Sequence, residues 1–253
     1  ASVSSLSPNT IYYYQAYATN SSGTSYGGVI SFTTPKAEPA AQPTSLVFSS
    51  VTSTSFSTAF TAASGSPDGY IVVRSTTASL SADPVDGTTY IAGNSLGGGT
   101  VLSVGTTISG IANSSLTEGT TYYTFVFAYN NSGTAIDYLT TSPLSNSVIT
   151  ISSAPTAPSF SAVTNTTATV SWSAVTGASD YRLDLSTVSN FTSFVSGYND
   201  LTVSGTSQAI SGLTPNTNYF ARVRAVNASG TSASSTNGSS ATIHNAPTVG
   251  IGS

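Results

Sequence analysis

The chain has 253 residues and is 38% hydrophobic but only 6% charged, with a formal net charge of −4, where an ordinary soluble domain is roughly 25% charged. Its five basic residues cannot build the stripe that neutralises a phosphate backbone, so nucleic acid is excluded as a partner. The absence of cysteine excludes disulfides, thiolate chemistry and cysteine-ligated metals, and no apolar run is long enough to span a bilayer.

What carries the surface instead is Ser, Thr, Asn and Gly, a neutral polar mixture expected of a secreted chain. Without disulfides, stability has to come from burial and sheet hydrogen bonding. Methionine is absent even at position 1, which leads us to expect that the segment lies within a longer or processed polypeptide.

In chain order, the first element is LSPNTIYYYQAYATNSSG, residues 6–23, followed by a second strand ending in VISFTT. The stretch KAEPAAQ reads as a linker. PTSLVFSSVTST then begins at Pro43, a large aromatic (Phe60) stands seventeen residues after that Pro, and GYIVVRS begins at Gly69. The opening phrase returns as LTEGTTYYTFVFAYNNSG at residues 116–133. PTAPSFSAVTNT repeats the earlier start at Pro155, with Trp172 again seventeen residues on and DYRLDLS from Asp180. A third copy of the phrase, LTPNTNYFARVRAVNASG, closes the series at residues 213–230.

The three phrases align without gaps at Leu6/Leu116/Leu213, Tyr12/Tyr122/Tyr219, Asn20/Asn130/Asn227 and Gly23/Gly133/Gly230. The repeat distance is 110 residues from Leu6 to Leu116 and 97 from Leu116 to Leu213, too long for a solenoid and suited to successive sandwich domains. Alternation of apolar and polar residues is expected through GYIVVRS and DYRLDLS, Gly, Asn, Ser and Pro clusters separate the segments, and no 3.6-residue apolar period appears. The fold class expected is all-β.

Within the third phrase, alternation puts Tyr219, Ala221, Val223 and Ala225 on the inner face, with Phe220, Arg222 and Arg224 outside. Asn and Gly at the far end suit a tight turn, because both tolerate left-handed backbone angles.

The combination of an early Pro, Trp172, Tyr181 and L-x-P-x-T-x-Y-x-x-x-V-x-A-x-N-x-x-G over residues 213–230 resembles the fibronectin type III family. The second copy departs from it, with Phe60 for the Trp and Glu118-Gly119 for the Pro-Asn pair. The resemblance implies tandem immunoglobulin-like β-sandwiches in which the phrase is strand F, and a Tyr hydroxyl that reaches back to a backbone group near the corner.

On that basis residues 1–36 are expected to hold the last two strands, F and G, of a truncated domain. Residues 43–152 would be a second domain with an insertion between strands C and F, residues 154–244 a third, and residues 245–253 a linker to a following one. Completion of the first domain by strand addition from another chain is the competing expectation. The wording of residues 191–205 and 84–101 is also similar to repeats of large surface proteins, of adhesin or fibre type, from gliding, type IX-secreting bacteria.

The second and third modules differ on the outer face of strands C and F. The third presents Arg182, Asp184, Arg222 and Arg224, whereas the second presents Ile71, Val73, Tyr123, Phe125 and Phe127. Burying each such side chain favours folding by roughly 1.5–3 kcal/mol, so a cover is expected. One source is the extra chain between Tyr70 and Leu116, which contains Tyr90, Ile91, Leu96, Val101, Leu102 and Val104. The other is a partner chain, which would make the face an assembly or adhesion surface.

Chemistry finds little to work with. The single histidine, His244, stands at the end of the last module with no base–nucleophile partners, and one His without Cys does not make a zinc site. Asp180 and Asp184 lie about 13 Å apart along one strand, too far for a glycosidase pair, and are expected to form exposed cross-strand pairs with Arg182, Arg222 and Arg224. Asp83 and Asp86, in SADPVDG, are the candidate calcium ligands, in a turn whose residues have a simpler role as turn formers. LGGGT, residues 96–100, does not lead from a strand into a helix and is no phosphate loop.

No cofactor and no catalytic residue is expected, and the chain reads as non-enzymatic. The expected role is a structural or adhesive repeat segment at a cell surface or outside the cell. Its partners would be copies of itself, other surface proteins or glycans, the last through Tyr13, Tyr17 and Tyr26. The alternative is a spacer or carbohydrate-binding accessory region of a secreted hydrolase.

Overall fold

The computed structural model describes residues 2–133 and 135–245; the expected linker at 245–253 lies outside the described residues from 246 onward. All regular elements among the described residues are strands. By contact density the chain divides into two units. One gathers Ala1–Phe48, Ser57–Ala112 and Tyr123–Ser147; the other gathers Ser49–Phe56, Asn113–Tyr122 and Val148–Ser253.

The first unit opens with β1 (Ile11–Asn20) and β2 (Gly23–Thr33), an antiparallel hairpin with Asn20 opposite Gly23 and an irregularity between Gln15 and Tyr17. The next sandwich contains β3 (Thr44–Ser49), β4 (Phe56–Thr61), β5 (Gly69–Ser75), β6 (Ser95–Leu96), β7 (Gly99–Gly105), β8 (Ile111–Asn113), β9 (Thr121–Asn131), β10 (Ile136–Tyr138) and β11 (Leu144–Ile149). One sheet runs β3-β4-β8, the other β10-β9-β5-β7-β6, with β11 also on β9.

The second unit carries the following sandwich: β12 (Ser159–Ser161), β13 (Thr167–Ser171), β14 (Asp180–Ser186), β15 (Leu201–Val203), β16 (Ser207–Ser211), β17 (Asn218–Asn227), β18 (Gly230–Thr231) and β19 (Gly238–Ala241). Its sheets run β12-β13-β16 and β15-β14-β17-β18, with β19 also on β17. The protein is thus all-β, built of tandem β-sandwiches.

Alternation explains β17. Tyr219, Ala221, Val223 and Ala225 are buried against Leu183, Val170 and Trp172, while the residues between them are only partly covered. β5 obeys a different rule. GYIVVRS is buried along almost its whole length because both faces are covered, and a strand covered on both sides reads as a continuous apolar run. Tyr70 and Val72 join Leu46, Phe60, Val126 and Ala128 in the core between the sheets, and Ile71 and Val73 face a separate core on the far side.

The recurrence of the phrase has a structural cause at its first corner. In every copy the amide after the Leu donates to the Tyr hydroxyl, six residues after the Leu: Ser7 to Tyr12 at 2.8 Å, Thr117 to Tyr122 at 2.9 Å and Thr214 to Tyr219 at 2.8 Å. A second set of bonds locks the same corner to the last strand. The hydroxyls of Thr34, Thr150 and Thr242 donate to the carbonyls of Ser7, Thr117 and Thr214 at 2.6, 2.7 and 2.6 Å. They also accept the amides of Thr10, Thr120 and Thr217 at 3.0, 3.0 and 2.9 Å. The Thr four residues after the Leu and the Thr that immediately follows the last strand are therefore parts of one network. The first is the Thr of the L-x-P-x-T-x-Y pattern, and the second lies outside it.

A second recurrent bond links the strand before the sandwich turn to the strand after it. The Ala63 amide donates to the Tyr70 hydroxyl and the Val175 amide to the Tyr181 hydroxyl, both at 2.8 Å. Each Tyr ring packs edge-on against the aromatic that precedes it, Phe60 at 5.0 Å and Trp172 at 5.5 Å. Phe60 therefore substitutes for Trp without changing the arrangement, since ring–ring packing needs the face and not the indole nitrogen.

Candidate functional site

The outer face of β5 and β9 is the feature of the second sandwich that composition made conspicuous. Ile71, Val73 and Phe127 are fully buried and Phe125 nearly so, and Tyr123 packs at the margin of the same cluster. Two segments of the chain itself lie over them. From the stretch between β5 and β8 come Leu80, Tyr90, Leu96, Val101 and Val104; from the stretch after β9 come Ile136 and Tyr138. Two inserted residues go elsewhere: Leu102 packs into the core between the sheets, and Ile91 is 64% exposed.

Tyr138 anchors this cover. It is fully buried, lies 5.9 Å from Tyr90 and 5.7 Å from Tyr129, and its hydroxyl donates to the Thr88 carbonyl at 3.0 Å. Burial, with smaller contributions from the neighbouring Tyr129 and Tyr90, pushes its hydroxyl up to about 12. The Tyr138 amide donates to Asp86 Oδ1 at 2.8 Å, and the Gly87 amide to the Ile136 carbonyl at 2.8 Å, so loop and strand are laced together. The signal for this strand was available in length. Gly133 and Thr150 are seventeen residues apart, against twelve between Gly230 and Thr242.

LGGGT forms the β6–β7 turn. Gly97 has φ +56°, and a Cβ there would be pressed against the Ala82 carbonyl oxygen and within 2.8 Å of Leu80 Cβ. Gly99 lies so close to the sheet that a Cβ would sit 2.8 Å from Val73 Cγ1. These glycines allow close approach of backbone to β5.

The structure brings Asp86 together with Asp137 and Glu38, whose carboxylate oxygens lie within 4.8 Å of one another; Asp83 is exposed and is not one of the three. Partial burial, then the charge of Asp86 and a hydrogen bond with it, raises Asp137 above the usual carboxylate range. The cluster offers hard oxygen donors of the kind calcium takes, but calcium requires six to eight. Its partners were not visible in sequence, because Glu38 and Asp137 are 48 and 51 residues from Asp86.

In the third sandwich, Asp184 departs from the exposed pairing expected of it. Its side chain is 1% exposed, its Oδ2 accepts from Arg222 Nε at 2.9 Å and Arg224 Nη2 at 3.1 Å, and its Oδ1 accepts the Asp200 amide at 2.7 Å. The reason is local: Phe191, from the segment after β14, lies 4.3 Å under the Arg222 guanidinium and closes the site. Arg224 also reaches Asp200 at 2.9 Å, Arg182 lies 3.8 Å from Asp200, and Asp180 makes none of these pairs. Asp184 and Asp200 are thus each matched to a guanidinium, which is a structural assignment.

Of the glycan-stacking candidates, Tyr13 and Tyr17 are each 70% exposed and Tyr26 is 65% exposed, with Tyr17 and Tyr26 5.9 Å apart. His244 is exposed at the end of the last module. No helix of the described residues is long and apolar enough to cross a membrane.

Residues 153–241 match the family model of the fibronectin type III domain. No curated protein matches the sequence. Among solved structures the chain is similar to a two-domain fibronectin type III segment of chicken tenascin, with 20% identity and a TM-score of 0.41, over 80% of this chain and 100% of that one. It is also similar to the FN1-FN3 domains of chicken CNTN1, with 18% identity and a TM-score of 0.40, over 93% of this chain and 77% of that one.

Proposed function

We propose that this chain is a non-catalytic structural or adhesive repeat segment of a long extracellular or cell-surface protein, spacing or assembling through tandem β-sandwiches. Its modules are residues 43–152 and 154–244, each of the fibronectin type III kind, with residues 1–36 contributing strands F and G of another. The observation that carries the reading is the thrice-built corner. The residues that recur are those spent on the Tyr–amide and Thr–carbonyl bonds, so what the chain repeats is an instruction for folding, and fold alone assigns no chemistry. The neutral surface, with 6% charge, agrees with an exterior location. The phrasing of residues 191–205 and 84–101 supports a place among large surface repeats of gliding bacteria. Immunogold labelling of the source cells with antibody to this segment tests the reading: label along material outside the cell is expected, and label confined to the cell interior would sink it.

A second reading, an accessory carbohydrate-binding region of a secreted hydrolase, is favoured by the exposed Tyr17–Tyr26 pair, since an exposed aromatic face suits the apolar face of a sugar. A glycan array giving signal that is lost in Tyr17→Ala would move the assignment there.

A further inference from the structure

The end of the repeated phrase does something its turn-forming role does not require. In the second copy Ser132 Oγ accepts the Lys36 amide at 2.6 Å, and Asn130 Nδ2 donates to the carbonyl of the next residue, Ala37, at 2.8 Å. In the third copy Ser229 Oγ donates to the Ile149 carbonyl at 2.5 Å, and Asn227 Nδ2 donates to the carbonyl of the next residue, Thr150, at 2.9 Å. Asn and Ser hold the same places in both phrases, fourteen and sixteen residues after the Leu. In each case the Ser reads one residue of the strand or linker leading into the module, and the Asn reads the carbonyl of the residue after it.

The contacts are all to backbone, and the residues read, Lys-Ala in one and Ile-Thr in the other, share no side-chain chemistry. Nor is their place in the connecting segment the same. Thr150 is the corner threonine itself, whereas Ala37 lies three residues beyond its counterpart Thr34. The phrase, not the captured segment, therefore sets the contact. Asn227 is 7% exposed and also donates to Ser152 Oγ at 3.2 Å. In the second copy the ion pair of Lys36 with Asp68, at 2.7 Å, adds to the hold.

We propose that these Asn and Ser positions form a backbone-capture site, and that Asn20 and Ser22, the same positions in the first phrase, bind the backbone of an extended stretch of polypeptide in the same way. Asn20 and Ser22 are exposed at the β1–β2 turn, and Asn20 Oδ1 accepts the Ser22 amide at 2.8 Å, as Asn227 Oδ1 accepts the Ser229 amide at 3.0 Å. The ligand chemistry is a carbonyl aimed at Asn20 Nδ2, with a backbone amide or carbonyl of the preceding residue at Ser22 Oγ. The inference rests on the modular reading above only for the equivalence of the three phrases.

The test has two arms, both on the whole chain. In the first, Ser132→Ala is followed by hydrogen exchange at the Lys36 amide. Loss of its acceptor is expected to speed exchange there by about fivefold or more, the factor of one ordinary hydrogen bond, with the Thr120 and Thr217 amides unchanged. In the second, the isotope-labelled chain is titrated with a blocked peptide of residues 147–154, SVITISSA. Saturable shifts at the Asn20 side-chain amide and Ser22 are expected in the millimolar range, as suits a contact normally made within one chain, and their loss in Asn20→Ala. An unchanged Lys36 exchange rate overturns the capture role. Peptide shifts that are absent, or that persist in Asn20→Ala, overturn the assignment to the first phrase. An extracellular location and a failed capture test are separate outcomes, so neither experiment stands in for the other.

Discussion

Removing the Tyr219 hydroxyl tests the corner directly. Tyr219→Phe keeps the ring, which is 4% exposed, and deletes only the acceptor of the Thr214 amide at 2.8 Å. A buried amide left without a partner costs about 1–3 kcal/mol, but Thr214 is an exposed residue whose amide can be rehydrated, so the lower end applies, about 1 kcal/mol. For a module of this size that lowers the midpoint by about 4–8 °C. Thr242→Val removes two bonds at once, the donation to Thr214 and the acceptance from Thr217, at a residue 5% exposed, and is expected to cost about twice as much. The single tryptophan makes the assay specific: Trp172 is 7% exposed and packed on Tyr181, so thermal unfolding followed by its fluorescence reads the third sandwich. Tyr12→Phe should leave that transition where it is. A Tyr219→Phe midpoint indistinguishable from wild type, or a Thr242→Val loss no larger than that of Tyr219→Phe, would refute the corner as the reason for the repeat.

Thr124 occupies, in β9, the place that Ala221 holds in β17, and its hydroxyl is fully buried without a partner among the described residues; Thr124→Val should raise the stability of the second sandwich by about 1 kcal/mol in chemical denaturation followed by circular dichroism. Gly97→Ala should destabilise the same sandwich by about 2–4 kcal/mol, through both its left-handed φ and the crowding by Ala82 and Leu80, whereas Gly98→Ala, at φ +81° but with its nearest neighbour 4.0 Å away, should cost only about 1–2 kcal/mol. Equal losses at the two glycines would show that crowding against the covered face is not what selects Gly97. The raised carboxyl of Asp137 contributes stability that is complete below its unfolded value of 3.8 and is lost as pH rises through the folded value. Asp137→Asn escapes that loss, so its melting temperature relative to wild type should climb between pH 4 and 7; a flat difference across that range contradicts the assignment.

Much of this architecture follows from local order along the chain. Period-2 alternation in residues 218–227 determines which side chains of β17 face inward, because pleating sends successive side chains to opposite faces. The constant spacing of Leu, Tyr, Asn and Gly marks the repeated strand and its corners, whereas GYIVVRS, expected to alternate, is buried on both faces because a cover lies over its outer side. Other features depend on which distant segment crosses which, and no local period records that. Ile136 and Tyr138 join the cover over Phe127 only because β10 folds back onto β9, and Asp86 meets Asp137 only because that strand brings them together. Asp184 sits in an alternating strand as any outward acid would, yet it is buried, since Phe191 and two arginines close over it from β17 and the segment after β14. Local order thus set the repeated strands and the inward face of β17, because those are properties of a few adjacent residues. The carboxylate cluster and the backbone captured by Asn130 and Asn227 came from the folded chain alone, because each joins residues roughly 50 to 100 positions apart, and the second core needed the β10 hairpin and the stretch after β5 to close over one face.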